Sequence, residues 1–210
     1  MKINFILLFL FITKIGTFGQ VTGSFIDSRD RNAYKSIKIG SQIWMAENLN
    51  FGTDSGSWCY DNKPMNCRKF GRLYDWEMAT IVCPAGWHLP SDEEWKTLEK
   101  SLGMSNDEAN SSGNRGENSN IGWKLKSKSD WGNSNVQAIY DNGFNALPGG
   151  CYGTNEKAFY FKDSVGMFYT STSYDNDFAW YRDLHYKHGI VFRGHRSKKL
   201  AYSVRCIKNE

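Results

Sequence analysis

The side chains of this chain that could bind a metal or a ligand are concentrated near its C-terminal end. Three of the four histidines lie there, at His185, His188 and His195. Neutral imidazole binds transition metals, but no cysteine or carboxylate accompanies these histidines at the spacing of a recognised zinc motif. In a continuous strand, His185 and His188 would also point to opposite faces. A surface role is therefore favoured over a metal site.

Basic residues are distributed unevenly. The formal net charge is +4, yet residues 182–208 carry eight lysines and arginines against one acidic residue, Asp183. This asymmetry indicates an anionic partner or a solvated basic surface with no specific ligand. Basic and aromatic residues alternate there in a way that could suit nucleic acid, but the export signal described below argues against that partner.

The segment 185–200 is the candidate ligand-binding surface. It has weak periodicity and mixes polar, aromatic and basic side chains, which is what a scaffold presents when it binds a partner through exposed loops. The alternative is an ordinary exposed hairpin. The residues expected to contact a ligand are Tyr181, His185, Tyr186, Lys187, His188, Phe192, Arg193, His195 and Arg196.

Motifs for catalysis are absent from the sequence. It has no serine–histidine–aspartate signature, no phosphate-binding glycine loop and no helical zinc motif. Residues 175–177 (DND) offer oxygen atoms to a calcium ion, but three consecutive polar residues more commonly form a turn. We expect no cofactor, with calcium at this turn as the alternative.

Residues 1–19 have the features of an export signal. Lys2 precedes an apolar run at 5–12 that is too short to span a bilayer, and small residues precede a cleavage site near Gly19. A buried N-terminal strand or an anchor is the alternative. We expect a secreted or cell-surface protein that does not span the membrane, with residues 20–210 forming a single domain.

Export permits disulfide bonds, and the five cysteines allow two bridges with one thiol left over. Cys59 and Cys67 bracket a short turn, so a local bridge between them is sterically easy. Cys83 then has Cys151 or Cys206 as its partner.

Two segments carry helix signals. Apolar spacing predicts a first helix over 73–83, which ends before Pro84. Ser91 and Glu94 have the spacing of a capping box and predict the start of a second helix. The apolar stripe of that helix is Trp95, Leu98 and Leu102.

The remaining chain contains strand and loop signals. Residues 34–39 and 42–45 predict a hairpin around a Gly-Ser loop, while 52–71 and 105–120 are predicted to be loops. From residue 158 the pattern alternates with period two, so the C-terminal third is expected to be mostly strand. Helices followed by strands, without regular alternation, predict an α+β fold.

Six blocks of sequence, in order, resemble the Fibrobacter succinogenes major paralogous domain family. The likeness extends over about 27–208, and the blocks are YKSIKIGSQIWMAENLN (34–50), SWCYDNKPMNCRKFG (57–71), CPAGWHLPSDEEW (83–95), GFNALPGG (143–150), AWYRDL (179–184) and YSVRCI (202–207). The resemblance implies a disulfide-stabilised, C-type-lectin-like α+β fold, similar to the formylglycine-generating sulfatase-modifying domain. It would have two helices near the N-terminal half and a mostly antiparallel sheet in the C-terminal third.

In that wider fold, a cysteine at a helix end is bridged to one in the last strand. The resemblance therefore implies a Cys83–Cys206 bridge, with Cys151 free or intermolecular. It also implies that 185–200 corresponds to a stretch that binds ligands in some relatives, where retroelements diversify it.

These features favour a secreted or cell-surface, non-catalytic binding module for an unknown extracellular ligand, either a polysaccharide or a surface protein. One alternative is an enzyme of the formylglycine-generating type, which would need a reactive cysteine pair near the end of the domain, where this chain has only Cys206. The other is a structural adhesion or surface-layer component.

Overall fold

The computed structural model describes residues 22–132 and 142–210, which form two β-sheets and five helices. The expected export signal at 1–19 lies outside these residues. The strands are β1 (Thr22–Ile26), β2 (Ala33–Ile39), β3 (Gln42–Met45), β4 (Ser57–Trp58), β5 (Leu73–Asp75), β6 (Trp87–His88), β7 (Gly113–Arg115), β8 (Cys151–Gly153), β9 (Ala158–Tyr160), β10 (Val165–Ser173), β11 (Phe178–His185), β12 (Val191–Ser197), β13 (Leu200–Ser203) and β14 (Ile207–Lys208). The helices are α1 (Pro64–Phe70), α2 (Trp76–Ile81), α3 (Asp92–Ser101), α4 (Asn106–Asn110) and α5 (Ile121–Leu125), and a 3₁₀ turn spans Tyr60–Asn62.

The strands pair almost entirely antiparallel. The smaller sheet has the order β1-β2-β3-β14-β6, and the larger has β4-β5-β13-β10-β11-β12-β7 with the β8–β9 hairpin attached to β13. Between described strands, β10 and β13 are the one parallel pair. The predicted α+β class is confirmed, although strands also occupy the N-terminal half and the helices number more than two.

The predicted N-terminal hairpin is confirmed. β2 and β3 pair so that Ile39 faces Gln42 across the tight Gly-Ser turn. Gly40 has φ +60, a conformation that glycine adopts without strain, which explains its place in this turn.

The second predicted helix is also confirmed, as α3. The Ser91 hydroxyl accepts a hydrogen bond from the Glu94 amide at 3.2 Å, and the Glu94 carboxylate accepts one from the Ser91 amide at 2.7 Å. Trp95 and Leu98 are fully buried, so this helix packs its apolar stripe into the core.

The first predicted helix begins later than expected. Residues Leu73–Asp75 form β5, where Tyr74 pairs with Tyr202 of β13. Asp75 then caps α2, because its carboxylate accepts a hydrogen bond from the Met78 amide at 2.9 Å. The apolar spacing of this segment did not distinguish a short buried strand from the first turn of a helix.

Both predicted loops contain regular structure, so those predictions were wrong. The first holds β4 and α1, and the second holds α4 and β7. In the second segment, the side chain of Arg115 is buried because it pairs with Glu99 of α3. A polar composition alone does not reveal such a distant partner.

Two disulfide bonds are present, in the pairing that the resemblance implied. Cys59 and Cys67 are bridged within the α1 segment, and Cys83 is bridged to Cys206 across 123 residues. The second bridge joins the end of α2 to the segment just before β14. Cys151 is a buried free thiol.

Candidate binding surface

The residues expected to contact a ligand do not form one surface. In the β11–β12 pair, His195 lies opposite Trp180, whereas His185 ends β11 at the other end of the pair. Five residues of strand separate these positions, or roughly 17 Å at the usual rise. The four residues at 185–188 therefore lie far from His195 and Arg196.

Tyr181 and Arg193 were expected to be exposed contacts, and this is incorrect. They are only 2% and 7% exposed. Tyr181 packs against Tyr202 and the half-buried Phe192, with ring centroids 5.5 Å and 5.8 Å away. Arg193 is buried because it pairs with Asp92, a partner that lies in α3 and far away in sequence.

Arg193 belongs to a buried network of two carboxylates and three guanidinium groups, which ties α3 to the larger sheet. The Lys96 ammonium adds a fourth cation, 3.5 Å from Asp92. Asp92 accepts hydrogen bonds from Arg193 at 2.7 Å and from Arg182 at 2.8 Å. Glu99 accepts one from Arg182 at 2.7 Å and a bidentate pair from Arg115 at 2.8 and 2.9 Å. Each carboxylate thus accepts hydrogen bonds from two arginines, and these bonds are charge-assisted.

Asp92 remains ionised throughout the ordinary pH range. Burial alone would raise the pKa of its carboxyl group, but the hydrogen bonds from Arg193 and the charge of Arg182 outweigh burial and lower the pKa to about 2. Ionisation therefore stabilises the fold above about pH 4, and this contribution is lost as the pH falls through 2.

Two further cations of the basic C-terminal segment also bind groups of the fold, one of them buried and one at the surface. Arg205 is 1% exposed and donates to the side-chain oxygen of Asn48 at 2.7 Å and to the Phe144 carbonyl. Burial lowers its pKa to about 9. Lys198 donates to the carbonyls of Asp175 and Asn176. Four of the eight basic residues in 182–208 are thus held by groups of the fold, so the charge asymmetry of the sequence overstates the basic surface.

The backbone carbonyls of the two histidines at the far end of β11 bind a buried lysine. The Lys126 ammonium donates to the carbonyls of His185 at 2.5 Å and His188 at 2.7 Å and lies 4.0 Å from the ring centroid of Trp123. Burial lowers the pKa of Lys126 to about 7. Burial and nearby positive charges, including Lys126, lower the pKa of both histidines.

The histidine rings themselves lie on the same side of the chain. His185 and His188 stack with centroids 5.0 Å apart, because β11 ends at His185 and the chain then turns. The expectation that they point to opposite faces assumed a continuous strand and was wrong. No group of three metal-ligating side chains occurs among the described residues.

Asp183 is a half-buried carboxylate on the same strand. Burial raises its pKa to about 6, although the charges of Arg196 and Lys126 oppose this rise. Because the folded state then binds a proton more readily than the unfolded chain, stability falls as the pH rises from about 4 to about 6.

Replacing Asp183 by asparagine is expected to remove this cost. The gain in free energy of unfolding should be about 2 kcal/mol near neutral pH after allowing for solvent screening, and close to zero near pH 4. Urea unfolding of both proteins at the two pH values measures the difference. The exposed Asp107, replaced by asparagine, is the control. An equal gain at both pH values would show that Asp183 does not titrate in this way.

An exposed group of aromatic rings lies at the opposite end of the β11–β12 pair. We call it the aromatic platform, and it consists of Tyr174, Phe178, Trp180 and His195. Tyr174 is 50% exposed and Phe178 is 38% exposed. Tyr174 stacks on His195 with centroids 3.8 Å apart and planes 3° apart, and Phe178 and Trp180 meet the His195 ring edge-on. The four rings therefore form one surface.

The β10–β11 turn positions this platform. One carboxylate oxygen of Asp175 accepts hydrogen bonds from the amides of Asp177 at 2.9 Å and Phe178 at 2.8 Å. Lys198 binds the other side of the turn, through two carbonyls and the Ser173 hydroxyl. Of the oxygen atoms considered for calcium, Oδ1 of Asp175 accepts from backbone amides, and the carbonyls of Asp175 and Asn176 accept from an ammonium group.

The platform was largely missed by sequence reasoning. His195 was among the expected contacts, whereas Tyr174, Phe178 and Trp180 were not. Tyr174 lies in the turn, where strand alternation carries no information about its neighbours. The signal available in the sequence was the placement of aromatic residues on both sides of a polar turn, at 174 and 178.

The chain matches a known protein family over most of its length. The family model described as the Fibrobacter succinogenes major domain matches residues 37–208. No curated protein and no solved structure matches the chain. Within 22–132 and 142–210, none of the helices has the length and apolar character needed to cross a membrane.

Proposed function

This chain belongs to the Fibrobacter succinogenes major domain family, and from that premise we propose that it is a secreted or cell-surface, non-catalytic module that binds a polysaccharide. The aromatic platform is the contact surface. In this proposal, the protein contacts its ligand through flat aromatic rings.

The observation that carries this proposal is the exposure of Tyr174 and Phe178 on an ordered surface. Large aromatic side chains are normally buried, and a group of them held in contact at the surface marks an interaction site. The apolar C–H faces of a sugar ring pack against aromatic rings, while hydroxyl groups reach the polar side chains around them. Tyr174 is held by its stack on His195, so little conformational freedom is lost on binding.

The state of the cysteines favours binding over catalysis of the formylglycine-generating type. That chemistry needs reactive thiols, and Cys206 is bridged to Cys83. Burial raises the pKa of the Cys151 thiol to about 12, so that the nucleophilic thiolate is scarce near neutral pH.

Two structural features support the remaining parts of the proposal. The Cys83–Cys206 bridge joins a helix end to the last strands, as in the C-type-lectin-like fold that the resemblance implies. Two disulfide bonds in a chain of this size are typical of an oxidising, extracytoplasmic compartment, which agrees with residues 1–19 acting as an export signal.

Replacing Tyr174 by alanine is expected to weaken polysaccharide binding at least about tenfold, since exposed aromatic anchors dominate binding energy. Stability should change little because the ring is half exposed. A glycan array identifies the polysaccharide, and titration calorimetry with the wild type and the variant measures the loss.

The matched control is Tyr160→Ala, which removes another exposed tyrosine from a different part of the larger sheet. It should bind like the wild type. Equal binding by Tyr174→Ala and the wild type would exclude the platform, and silence across a broad glycan array would exclude a polysaccharide ligand.

A further inference from the structure

A polar cleft lies beside the same β10–β11 turn that carries the platform. Its volume is about 620 Å³, within the roughly 300–1,000 Å³ of small-ligand sites. Residues 176 and 177 of the turn line it, so the cleft and the platform share this turn. The cleft is also lined by Trp58, Asp75, Glu77, Thr154 and Lys199.

One residue that lines the cleft, Trp58, belongs to a group of packed aromatic rings. Trp58 packs against Tyr152 with centroids 4.8 Å apart, and Tyr152 packs against Phe159 at 4.5 Å. All three rings are half-buried, so they are fixed in the fold and still present part of their surface. Through Trp58, the cleft therefore offers the same type of contact as the platform.

The polar groups of the cleft suit hydroxyl groups. Glu77 is exposed, and Asp75 uses one carboxylate oxygen to cap α2 while its second oxygen makes no hydrogen bond that the structure shows. Carboxylate oxygens are acceptors, and sugar hydroxyls are donors.

Most of the cations near the cleft and the platform already bind other groups of the protein. They are therefore not available to neutralise a polyanion. Arg193 stacks 3.9 Å from the Trp180 ring centroid, but its charge is paired with Asp92. Lys198 lines the cleft, yet its ammonium group donates to three oxygens of the turn. Lys199 is exposed and lines the cleft together with Asp75, Glu77 and Asp177.

We propose that the cleft and the aromatic platform are two parts of one site, which binds an uncharged polysaccharide along its chain. This inference rests on the proposed function and adds the ligand's charge, its minimum length and a second group of contact residues. A single sugar can contact one part, whereas a longer chain that follows the shared turn contacts both.

Length dependence tests this inference. Neutral xylo-, manno- and gluco-oligosaccharides, from disaccharide to octasaccharide, are titrated into the wild-type mature protein, with a carboxylated uronic-acid series alongside. Affinity is expected to rise at least tenfold from the disaccharide to the octasaccharide of the neutral series that binds. The uronic-acid series should bind more weakly at every length.

Two variants of cleft residues test whether the gain in affinity with length comes from contacts in the cleft. Trp58→Ala should lower octasaccharide affinity about tenfold and leave disaccharide affinity unchanged. Because Trp58 also packs in the fold, Glu77→Ala serves as a second variant on an exposed residue and should lower octasaccharide affinity severalfold. Asp107→Ala, which removes an equally exposed acid from the first turn of α4, is the matched control.

Each outcome is distinct. Binding that is independent of length, or equal in the cleft variants and the wild type, would overturn the two-part site and leave the proposed function standing. Tighter binding of the uronic-acid series would overturn the neutral ligand. A protein that binds no oligosaccharide or polysaccharide would overturn both proposals.

Discussion

The Glu99→Ala variant is expected to lose about 3–5 kcal/mol of unfolding free energy, the range seen when one partner of a buried ion pair is removed. Glu99 is fully buried and accepts three hydrogen bonds from two arginines. Without it, Arg115 keeps no carboxylate partner and Arg182 keeps only Asp92. Urea unfolding followed by tryptophan fluorescence measures the change.

The network also predicts that removing an acid lowers the free energy of unfolding more than removing an arginine does. It holds three guanidinium groups and two carboxylates, so Arg182→Met leaves one arginine for each acid: Arg115 for Glu99 and Arg193 for Asp92. We expect this variant to lose less than half of what Glu99→Ala loses. Glu93→Gln is the control, because the Glu93 side chain is 76% exposed, and its loss should be below about 1 kcal/mol. Similar losses for Glu93→Gln and Glu99→Ala would contradict this description of the network.

The second large effect concerns the long disulfide bond. Replacing both Cys83 and Cys206 by alanine opens a loop of 123 residues, and the chain-entropy model then predicts a loss of about 5 kcal/mol. The bridge joins α2 to the segment that leads into β14, so its removal takes away the covalent link between the helical part and the end of the chain. Thermal and urea unfolding under non-reducing conditions measure the loss.

The short bridge provides the comparison. Cys59 and Cys67 are eight residues apart, and the same model predicts a loss of about 2.5 kcal/mol when both become alanine. Cys151→Ala leaves both disulfide bonds intact. Its loss of unfolding free energy should therefore be only that of removing one buried thiol group. If the two bridges had equal effects, loop length would not be the source of the stability.

Local signals in the sequence predicted the elements that local chemistry determines. The capping box at Ser91 and Glu94 and the Gly-Ser turn after Ile39 depend on neighbouring residues, and both are confirmed. The start of α2 was misplaced because Leu73 and Tyr74 are buried in a strand, and their spacing also fits a helix. The Cys83–Cys206 pairing came from the family resemblance, since spacing alone left Cys151 open.

The binding surface could not be predicted in the same way, because it depends on which charges are buried. Arg182 and Arg193 read as exposed basic residues in a strand, yet their partners lie some 90 to 100 positions earlier in α3. A single sequence contains no signal for such a pairing. Tyr174 was missed for the related reason that its partner, His195, lies on a different strand.

The buried network changes what kind of ligand this surface favours. A basic C-terminal segment indicated an anionic partner, but four of its cations bind groups of the fold itself, namely Arg182, Arg193, Lys198 and Arg205. The other four, Lys187, Arg196, Lys199 and Lys208, are exposed, together with aromatic rings and acceptor oxygens. In the proposed site, binding therefore depends on stacking and hydrogen bonding, and attraction between opposite charges has a minor part.

The most direct measurement is the salt dependence of binding. Calorimetric titration of the mature protein with the neutral octasaccharide, at low and at high ionic strength, should give affinities within about twofold of each other, because screening acts on interactions between charges. In the Tyr174→Ala variant, affinity should be at least about tenfold lower at both ionic strengths. Two results would contradict the proposed site: an affinity that falls steeply as salt rises, or an unchanged affinity in Tyr174→Ala. Either would indicate that the exposed basic residues bind the ligand.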